Sequence, residues 1–213
     1  MLRGTWSLLS AVLWRLPDKE REEAADVLLI LGGSEQRELA CARLHSGEAL
    51  LILSSGAARE EDLASAARID RSRVVVDARA VCTITNFTTL ADELARAGCR
   101  SVCVATSPAH MRRAYAVGCL CLGSRGMAVR RKVCGSKDDP SSAGESVLRT
   151  VRDLLRSFLW LLSGWDGGGV AGWWYPDRRR MAAEAAAGLP SLYIAETLSR
   201  WRSRSRAASK KCS

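Results

Sequence analysis

The stretch Asp26-Val-Leu-Leu-Ile-Leu-Gly-Gly33 decides the fold, because a continuous apolar run leads directly into a pair of glycines. Such a run is typical of a strand that is buried on both faces of a parallel sheet. The pattern returns at residues 49–53, which are apolar and are followed by Ser54-Ser55-Gly56. These two stretches predict two strands of a parallel sheet, with residues 26–31 as its central strand.

Strand-like and helix-like segments alternate through the middle of the chain. Further strands are predicted at residues 73–76 and 101–105, and helices at residues 34–46, 60–68, 86–97 and 107–117. Either residues 119–122 or residues 127–129 supply a fifth strand. Because strands joined by helices form right-handed β-α-β crossovers, the order predicts an α/β fold, a Rossmann-like three-layer sandwich with a mostly parallel five-stranded sheet.

The chain divides into three parts around this α/β domain. Residues 1–25 are predicted to form an N-terminal helical lead, residues 26–163 the α/β domain, and residues 164–213 a Trp/Gly-rich loop with a basic C-terminal extension. The last helix of the domain, predicted at residues 145–162, carries a broad apolar stripe that we expect to dock on the sheet. The stripe consists of Val147, Leu148, Val151, Leu154, Leu155, Phe158, Leu159 and Leu162.

Composition is that of a globular protein, with 47% hydrophobic and 26% charged residues. No apolar run reaches the roughly 18 residues that a membrane-spanning helix needs, and the N-terminal stretch lacks a small-residue cleavage site. We therefore expect a soluble chain, cytoplasmic or peripherally associated with the plasma membrane.

Residues 176–213 supply six of the nine net positive charges. This tail is either a solvated terminus or a contact for anionic lipid or nucleic acid, but no nucleic-acid-binding module accompanies it, so no specific nucleic-acid partner is expected.

The eight cysteines do not follow a zinc-binding pattern. Cys119 and Cys121 are two apart and Cys99 and Cys103 are four apart, whereas structural zinc favours C-x2-C spacing. We therefore expect buried, reduced thiols, a reducing compartment and no metal site. The sequence also lacks a Walker loop, a nucleophile elbow and a His-x-x-x-His pair, so nothing directly supports an NTPase, a hydrolase or a zinc protease.

Unusual polar residues follow the predicted strands at their carboxyl ends, where open parallel sheets bind ligands. Gly32 and Gly33 would let a ligand approach the backbone, and the amides of Gly33 and Ser34 would hold a phosphate or carboxylate. A tight strand-to-helix turn explains the same glycines. The stretch Thr83-Ile-Thr-Asn86-Phe-Thr-Thr89 brings four hydroxyls and one amide to the start of another helix. Capping needs only one of these groups, so the surplus predicts contacts to a bound molecule, with capping alone as the alternative.

His110 is one of two histidines and falls in the first turn of the helix that Ser107-Pro108 opens. Arg113 follows three positions later, on the same helix face. The positive end of the helix dipole favours the neutral imidazole, which makes His110 the candidate for proton transfer, while Arg113 would hold an anion. A histidine that only satisfies the helix start is the alternative. The second histidine, His45, is expected at the surface.

Several elements follow one another in a distinctive order between Asp26 and Ala114. They are residues 26–33, Arg37, Ser54-Ser55-Gly56, Thr83-x-x-Asn86 and Thr106-Ser-Pro-Ala-His110-Met-Arg-Arg113-Ala114. In this order they resemble the YdcF-like family, which includes the ElyC and SanA envelope proteins and is classed as a domain of unknown function. The Arg149-x-x-Arg152-Asp153 helix and the region of Trp160 look like the cyanobacterial branch. The family usually places an acidic residue where this chain has Cys82, so a role for that carboxylate does not carry over.

The resemblance implies a Rossmann-like fold, a nucleotide-type ligand such as S-adenosylmethionine, and a link to cell envelope or peptidoglycan metabolism. Together with the motifs it predicts a ligand-binding edge of Gly32, Gly33, Ser34, Arg37, Ser55, Gly56, Thr83, Asn86, Thr106, Ser107, His110 and Arg113. The leading hypothesis is a protein that binds a small anionic or nucleotide-like ligand, with His110 as the candidate catalytic residue. The alternative is a non-catalytic, envelope-associated module that docks through Trp165, Trp173, Trp174 and the basic tail. The sequence does not set the oligomeric state.

Overall fold

The protein, as a computed structural model, is built on one five-stranded sheet whose neighbouring strands are all parallel. The structure describes residues 25–135 and 147–167, and beyond them residues 180, 183–184, 187, 194, 196–201 and 203. The strands are β1 (Val27–Leu31), β2 (Leu50–Ser54), β3 (Val74–Asp77), β4 (Ser101–Thr106) and β5 (Ala128–Val133). Their order across the sheet is β3-β2-β1-β4-β5. The predicted Rossmann-like α/β class is confirmed, and β1 is the central strand.

Helices cover both faces of the sheet. They are α1 (Glu35–Ala42), α2 (Glu60–Ala67), α3 (Thr85–Arg96), α4 (Pro108–Cys121) and α5 (Val147–Ser163). On the side of α1 and α2 the sheet buries Leu28 and Leu51, and on the side of α3 and α4 it buries Leu29 against Phe87. Because successive strand residues point to opposite faces, β1 must be apolar along its whole length, as its sequence is.

The two alternatives for the fifth strand are now distinguished. β5 begins within the predicted residues 127–129 and runs further, whereas residues 119–121 belong to α4 and Cys121 is buried there. Gly126, with φ of 81°, turns the chain between the two elements. α1 ends at Ala42 rather than at residue 46. The residues after it fold back, so that Nε2 of His45 lies 2.8 Å from the carbonyl oxygen of Ala49, and the surface position predicted for His45 is corrected to a half-buried one.

α5 packs through the face opposite to the one that its apolar stripe predicts. Its buried residues are Asp153, Ser157 and Trp160. Seven of the eight stripe residues are exposed, and only Leu154 packs partly against the core. The expectation that the stripe docks on the sheet is therefore wrong. The helix is held by Trp160, which belongs to the buried core, and by the ion pair between Asp153 and Arg113 of α4. The Arg125 guanidinium lies 4.7 Å from the centre of the Trp160 ring.

A disulfide joins Cys41 of α1 to Cys134, which directly follows β5. The expectation of reduced thiols throughout is wrong for this pair, since the parallel β4–β5 pairing carries Cys134 back to α1 across a sequence separation of 93 residues. The free cysteines among the described residues are Cys82, Cys99, Cys103, Cys119 and Cys121. Burial raises the pKa of the Cys121 thiol to about 12 and also raises the pKa of Cys103 and Cys119, so these three groups stay protonated at neutral pH.

Several predictions fall on residues that the structure does not describe. These are most of the N-terminal lead, Trp173, Trp174 and most of the basic tail. Within the described residues, no helix has both the length and the apolar character needed to cross a membrane. The same residues contain no group of three or more His, Cys, Asp or Glu side chains that could hold a metal ion.

Candidate functional site

A cavity of about 800 Å³ opens at the carboxyl ends of β1, β2 and β4. Strand order reverses between β1 and β4, and ligands of open parallel sheets bind at such a reversal. Nine of the twelve residues predicted for the ligand-binding edge line this cavity: Gly32, Gly33, Arg37, Ser55, Thr83, Asn86, Thr106, His110 and Arg113. Ser34, Gly56 and Ser107 are not in its wall.

Close backbone packing fixes the turns that follow β1 and β2. The Gly32 amide donates to the Ser54 carbonyl oxygen at 2.9 Å, and a Cβ added at Gly32 would lie only 2.1 Å from the Ser55 carbonyl oxygen. Ser55 itself has φ of 55°, in the left-handed region. The Ser54 hydroxyl donates to the Asn86 side-chain oxygen at 2.9 Å, which fixes the orientation of that amide in the cavity wall. Gly32 is therefore required by packing, whatever the cavity binds.

The start of α1 already holds a carboxylate of the protein. The Gly33 amide donates to Oε1 of Glu38 at 2.6 Å, and the amides of Ala57 and Ala58 donate to Oε2 of the same side chain, which is fully buried. The Gly33 amide, which was predicted to hold a ligand phosphate together with the Ser34 amide, therefore binds Glu38 instead, and Ser34 lies outside the cavity wall. A second anion at this helix start would meet the Glu38 charge, so the cavity must bind its ligand with other groups.

Hydroxyls near the start of α3 mostly serve the protein itself. The Thr85 hydroxyl accepts hydrogen bonds from the amides of Val81 and Cys82, and that of Thr89 donates to the Thr85 carbonyl oxygen. The Thr88 hydroxyl donates to Asp166. Three of the four threonine hydroxyls that were predicted to contact a ligand are therefore hydrogen-bonded within the protein. Of this cluster, Thr83 and Asn86 line the cavity.

α4 contributes His110 and Arg113 to the cavity from its first two turns. Ser107, the residue before the helix, is buried, and its hydroxyl has no hydrogen-bond partner among the described residues. Because Ser107 is buried, it does not line the cavity, although Thr106 before it and His110 after it both do.

Positive charge dominates the cavity wall. Its arginines are Arg37, Arg113, Arg149, Arg152 and Arg156, and Asp153 is the acidic residue of the described wall. Three of the five arginines come from α5, where spacings of three and four residues place them on one side of the helix. The formal charge of these six side chains is thus strongly positive, which favours an anionic occupant.

These arginines differ in their partners, and therefore in whether a carboxylate neutralises the guanidinium charge. Arg113 and Arg152 both bond to the buried Asp153, each with a distance of 2.9 Å. Arg37 and Arg156 instead donate to backbone carbonyl oxygens, at 2.9 and 2.6 Å. A carbonyl group positions a guanidinium without cancelling its charge, so Arg37 and Arg156 are held in place as cations on separate walls.

Cys82 lies in the cavity wall. Its sulfur is 3.7 Å from Nη2 of Arg156 and 3.5 Å from the Thr85 hydroxyl. A carboxylate at this place would form an ion pair with Arg156. With cysteine there, this part of the wall keeps its positive charge.

The three arginines of α5 were not predicted to belong to the site. Their i, i+3, i+7 spacing, Arg149-x-x-Arg152-x-x-x-Arg156, was the available signal, but the apolar stripe of the same helix predicted burial of the other face. Trp165, predicted as one of three tryptophans of a docking surface, lines the cavity and is also exposed. No known protein family, curated protein or solved structure matches the chain.

Proposed function

We propose that the chain binds a small, multiply charged anion of the phosphate type in the arginine-lined cavity. The observation that carries the proposal is the set of five arginines against one carboxylate, Asp153, in the described wall. Arginine is suited to this task because its planar guanidinium presents paired donors that match the oxygen atoms of phosphate and carboxylate.

Size and charge narrow the ligand class. Ligand sites commonly enclose roughly 300–1,000 Å³, and this cavity of about 800 Å³ has room for a nucleotide-sized molecule. A phosphorylated ligand fits the positive wall better than S-adenosylmethionine, whose sulfonium group is itself positive. The favoured occupant is therefore a nucleotide or another organic phosphate.

Individual residues take distinct parts in this proposal. Arg37 and the α5 residues Arg149 and Arg156 would bind phosphate oxygens, and Asn86 would contact a polar edge of the ligand. Arg113, already bonded to Asp153, would act mainly by holding α5 against α4. His110 lies in the wall at the start of α4, where it could exchange a proton with a bound ligand, and it stays the candidate catalytic residue.

The resemblance to the YdcF-like family supports placing this ligand in cell envelope or peptidoglycan metabolism. That assignment rests on the motif order between Asp26 and Ala114 and on no contact in the cavity. The alternative of a module that docks through Trp173, Trp174 and the tail concerns residues outside the described part of the chain.

Calorimetric titration with pyrophosphate and with ADP tests the proposal. Each charge-assisted hydrogen bond contributes about 1.5–3 kcal/mol, so Arg37→Ala and Arg149→Ala should each weaken binding by about tenfold or more. Arg59→Ala is the matched control, because Arg59 is exposed at the start of α2 and lies outside the cavity wall. Failure of both compounds to bind, or equal binding by all three variants, would refute the proposal.

A further inference from the structure

α5 presents a continuous apolar surface to solvent. Of the nine large apolar side chains exposed in the described part of the chain, seven belong to this helix. They are Val147, Leu148, Val151, Leu155, Phe158, Leu159 and Leu162. At about 100° per residue they fall within about a third of the helix circumference, so they form one sector rather than scattered positions. We refer to these seven residues as the α5 sector.

Exposure of the α5 sector is substantial at both ends of the helix. Leu148 is 80% exposed and Leu162 is 83% exposed. Contiguous exposed apolar surface of this kind usually marks a place where another surface binds, because burying leucine side chains is favourable. The buried face of the helix carries Asp153, Ser157 and Trp160.

Charge on α5 is arranged asymmetrically around the sector. Arg149 and Arg152 are exposed, and Arg156 follows on the same border of the sector. The acidic residue of the helix, Asp153, is buried and bonded to Arg113 and Arg152. The solvent-facing surface of α5 therefore combines leucine, valine and phenylalanine with guanidinium groups and has no carboxylate.

We propose that the α5 sector docks on an anionic membrane surface, with the helix lying in the plane of the interface. An apolar helix face bordered by arginines is the pattern of helices that insert their apolar side between lipid headgroups while the cations contact lipid phosphates. Trp165 follows just past the helix end and is 55% exposed, and tryptophan favours this interfacial depth. Among the described residues no helix, α5 included, is long and apolar enough to cross a membrane.

Charge complementarity favours lipid over a second copy of the chain. Two copies packed through their α5 sectors would bring two sets of arginines to one interface, and no exposed carboxylate on either helix would pair with them. Anionic lipid supplies the missing negative charge at the border while its acyl chains receive the apolar side chains. The proposal does not depend on what the cavity binds.

The α5 sector lies next to the arginine-lined cavity. Arg149, Arg152 and Arg156 line the cavity and, by their positions around the helix, also border the α5 sector. A chain docked through the sector would therefore hold this side of the cavity close to the headgroups.

Vesicle flotation of the full chain tests the proposal. We expect binding to phosphatidylcholine vesicles in which about a third of the lipid is phosphatidylserine, and much weaker binding to pure phosphatidylcholine. Leu155→Glu and Leu159→Glu should each reduce partitioning into the vesicles by about tenfold or more. Each replaces a leucine that would be buried in the membrane by a negative charge that the anionic surface repels. Val133→Glu is the matched control, because Val133 on β5 is 46% exposed and Leu159 is 47% exposed.

Three results would overturn the proposal. The first is a full chain that does not float with the anionic vesicles, and the second is equal binding to both lipid compositions. The third is equal loss in the Leu159→Glu and Val133→Glu variants. If the full chain does not bind vesicles, but light scattering shows a dimer that the Leu155→Glu substitution dissociates, the α5 sector binds a second copy of the chain instead. Pyrophosphate binding measured on the Leu155→Glu variant should match that of the unmodified chain, which separates this proposal from that for the cavity.

Discussion

Replacing Asp153 by alanine should destabilise the fold far more than removing either exposed charge on α5. Asp153 is 2% exposed, and it bonds at 2.9 Å to Arg113, whose side chain is 13% exposed. At this distance and an effective dielectric constant of about 20, the attraction is roughly 6 kcal/mol before the cost of desolvation is subtracted. Removal of one member of a buried pair leaves the other charge uncompensated, so we expect Asp153→Ala to lower the free energy of unfolding by about 3–5 kcal/mol.

Arg152→Ala is the internal control for that experiment. Arg152 also bonds to Asp153, but its side chain is 60% exposed, and an exposed pair contributes only about 0–1 kcal/mol. Urea unfolding followed by circular dichroism measures both variants, and the pair Asp153→Leu with Arg113→Met should recover much of the loss because it removes both buried charges. Equal losses for Asp153→Ala and Arg152→Ala would refute the assignment of Asp153 as the buried centre of the α4–α5 contact.

Three further outcomes are expected. Gly32→Ala should destabilise by about 1–3 kcal/mol or more in the same assay, because its Cβ would meet the backbone of Ser55; a change near zero would contradict this packing. Burial lowers the pKa of His45 below 6.5, so its contribution to stability is present above that pH and is lost as the pH falls. His45→Gln should therefore flatten the decrease in urea midpoint below about pH 6.5, and an unchanged pH dependence would count against it. Iodoacetamide at neutral pH should modify Cys82 but not Cys121, and pyrophosphate should slow the Cys82 reaction, as peptide mass spectrometry can show; modification of Cys121 first would contradict the described burial.

Local patterns were enough to predict four of the five strands and the parallel class of the sheet, while the fifth strand was left between two alternatives. The apolar run before Gly32 predicted β1 because a strand buried on both faces has no polar alternation, and the Ser107-Pro108 pair predicted the start of α4. Since parallel strands end at one edge of a sheet, the sequence also predicted that Asn86 and His110 lie at a common edge, and both line the cavity there.

Other features depended on distant contacts that no local pattern contains. Periodicity showed that α5 is amphipathic, but the helix turns inward the face that carries Asp153 and Trp160, where Asp153 meets Arg113 of α4 and Trp160 joins the core. Glu38 was overlooked for the same reason, since the amides that it binds follow both β1 and β2. The Cys41–Cys134 disulfide likewise depends on where β5 is added to the sheet.

Native mass spectrometry of the freshly purified full chain shows whether the arginine-lined cavity holds an anion. We expect a fraction of the protein with the added mass of a small phosphorylated anion. That fraction should be lost in the combined Arg37→Ala, Arg149→Ala variant and retained in Arg59→Ala. A chain that carries no anion and takes up no pyrophosphate, or a bound anion that both arginine replacements leave in place, would contradict the assignment of the arginine-lined cavity as the binding site.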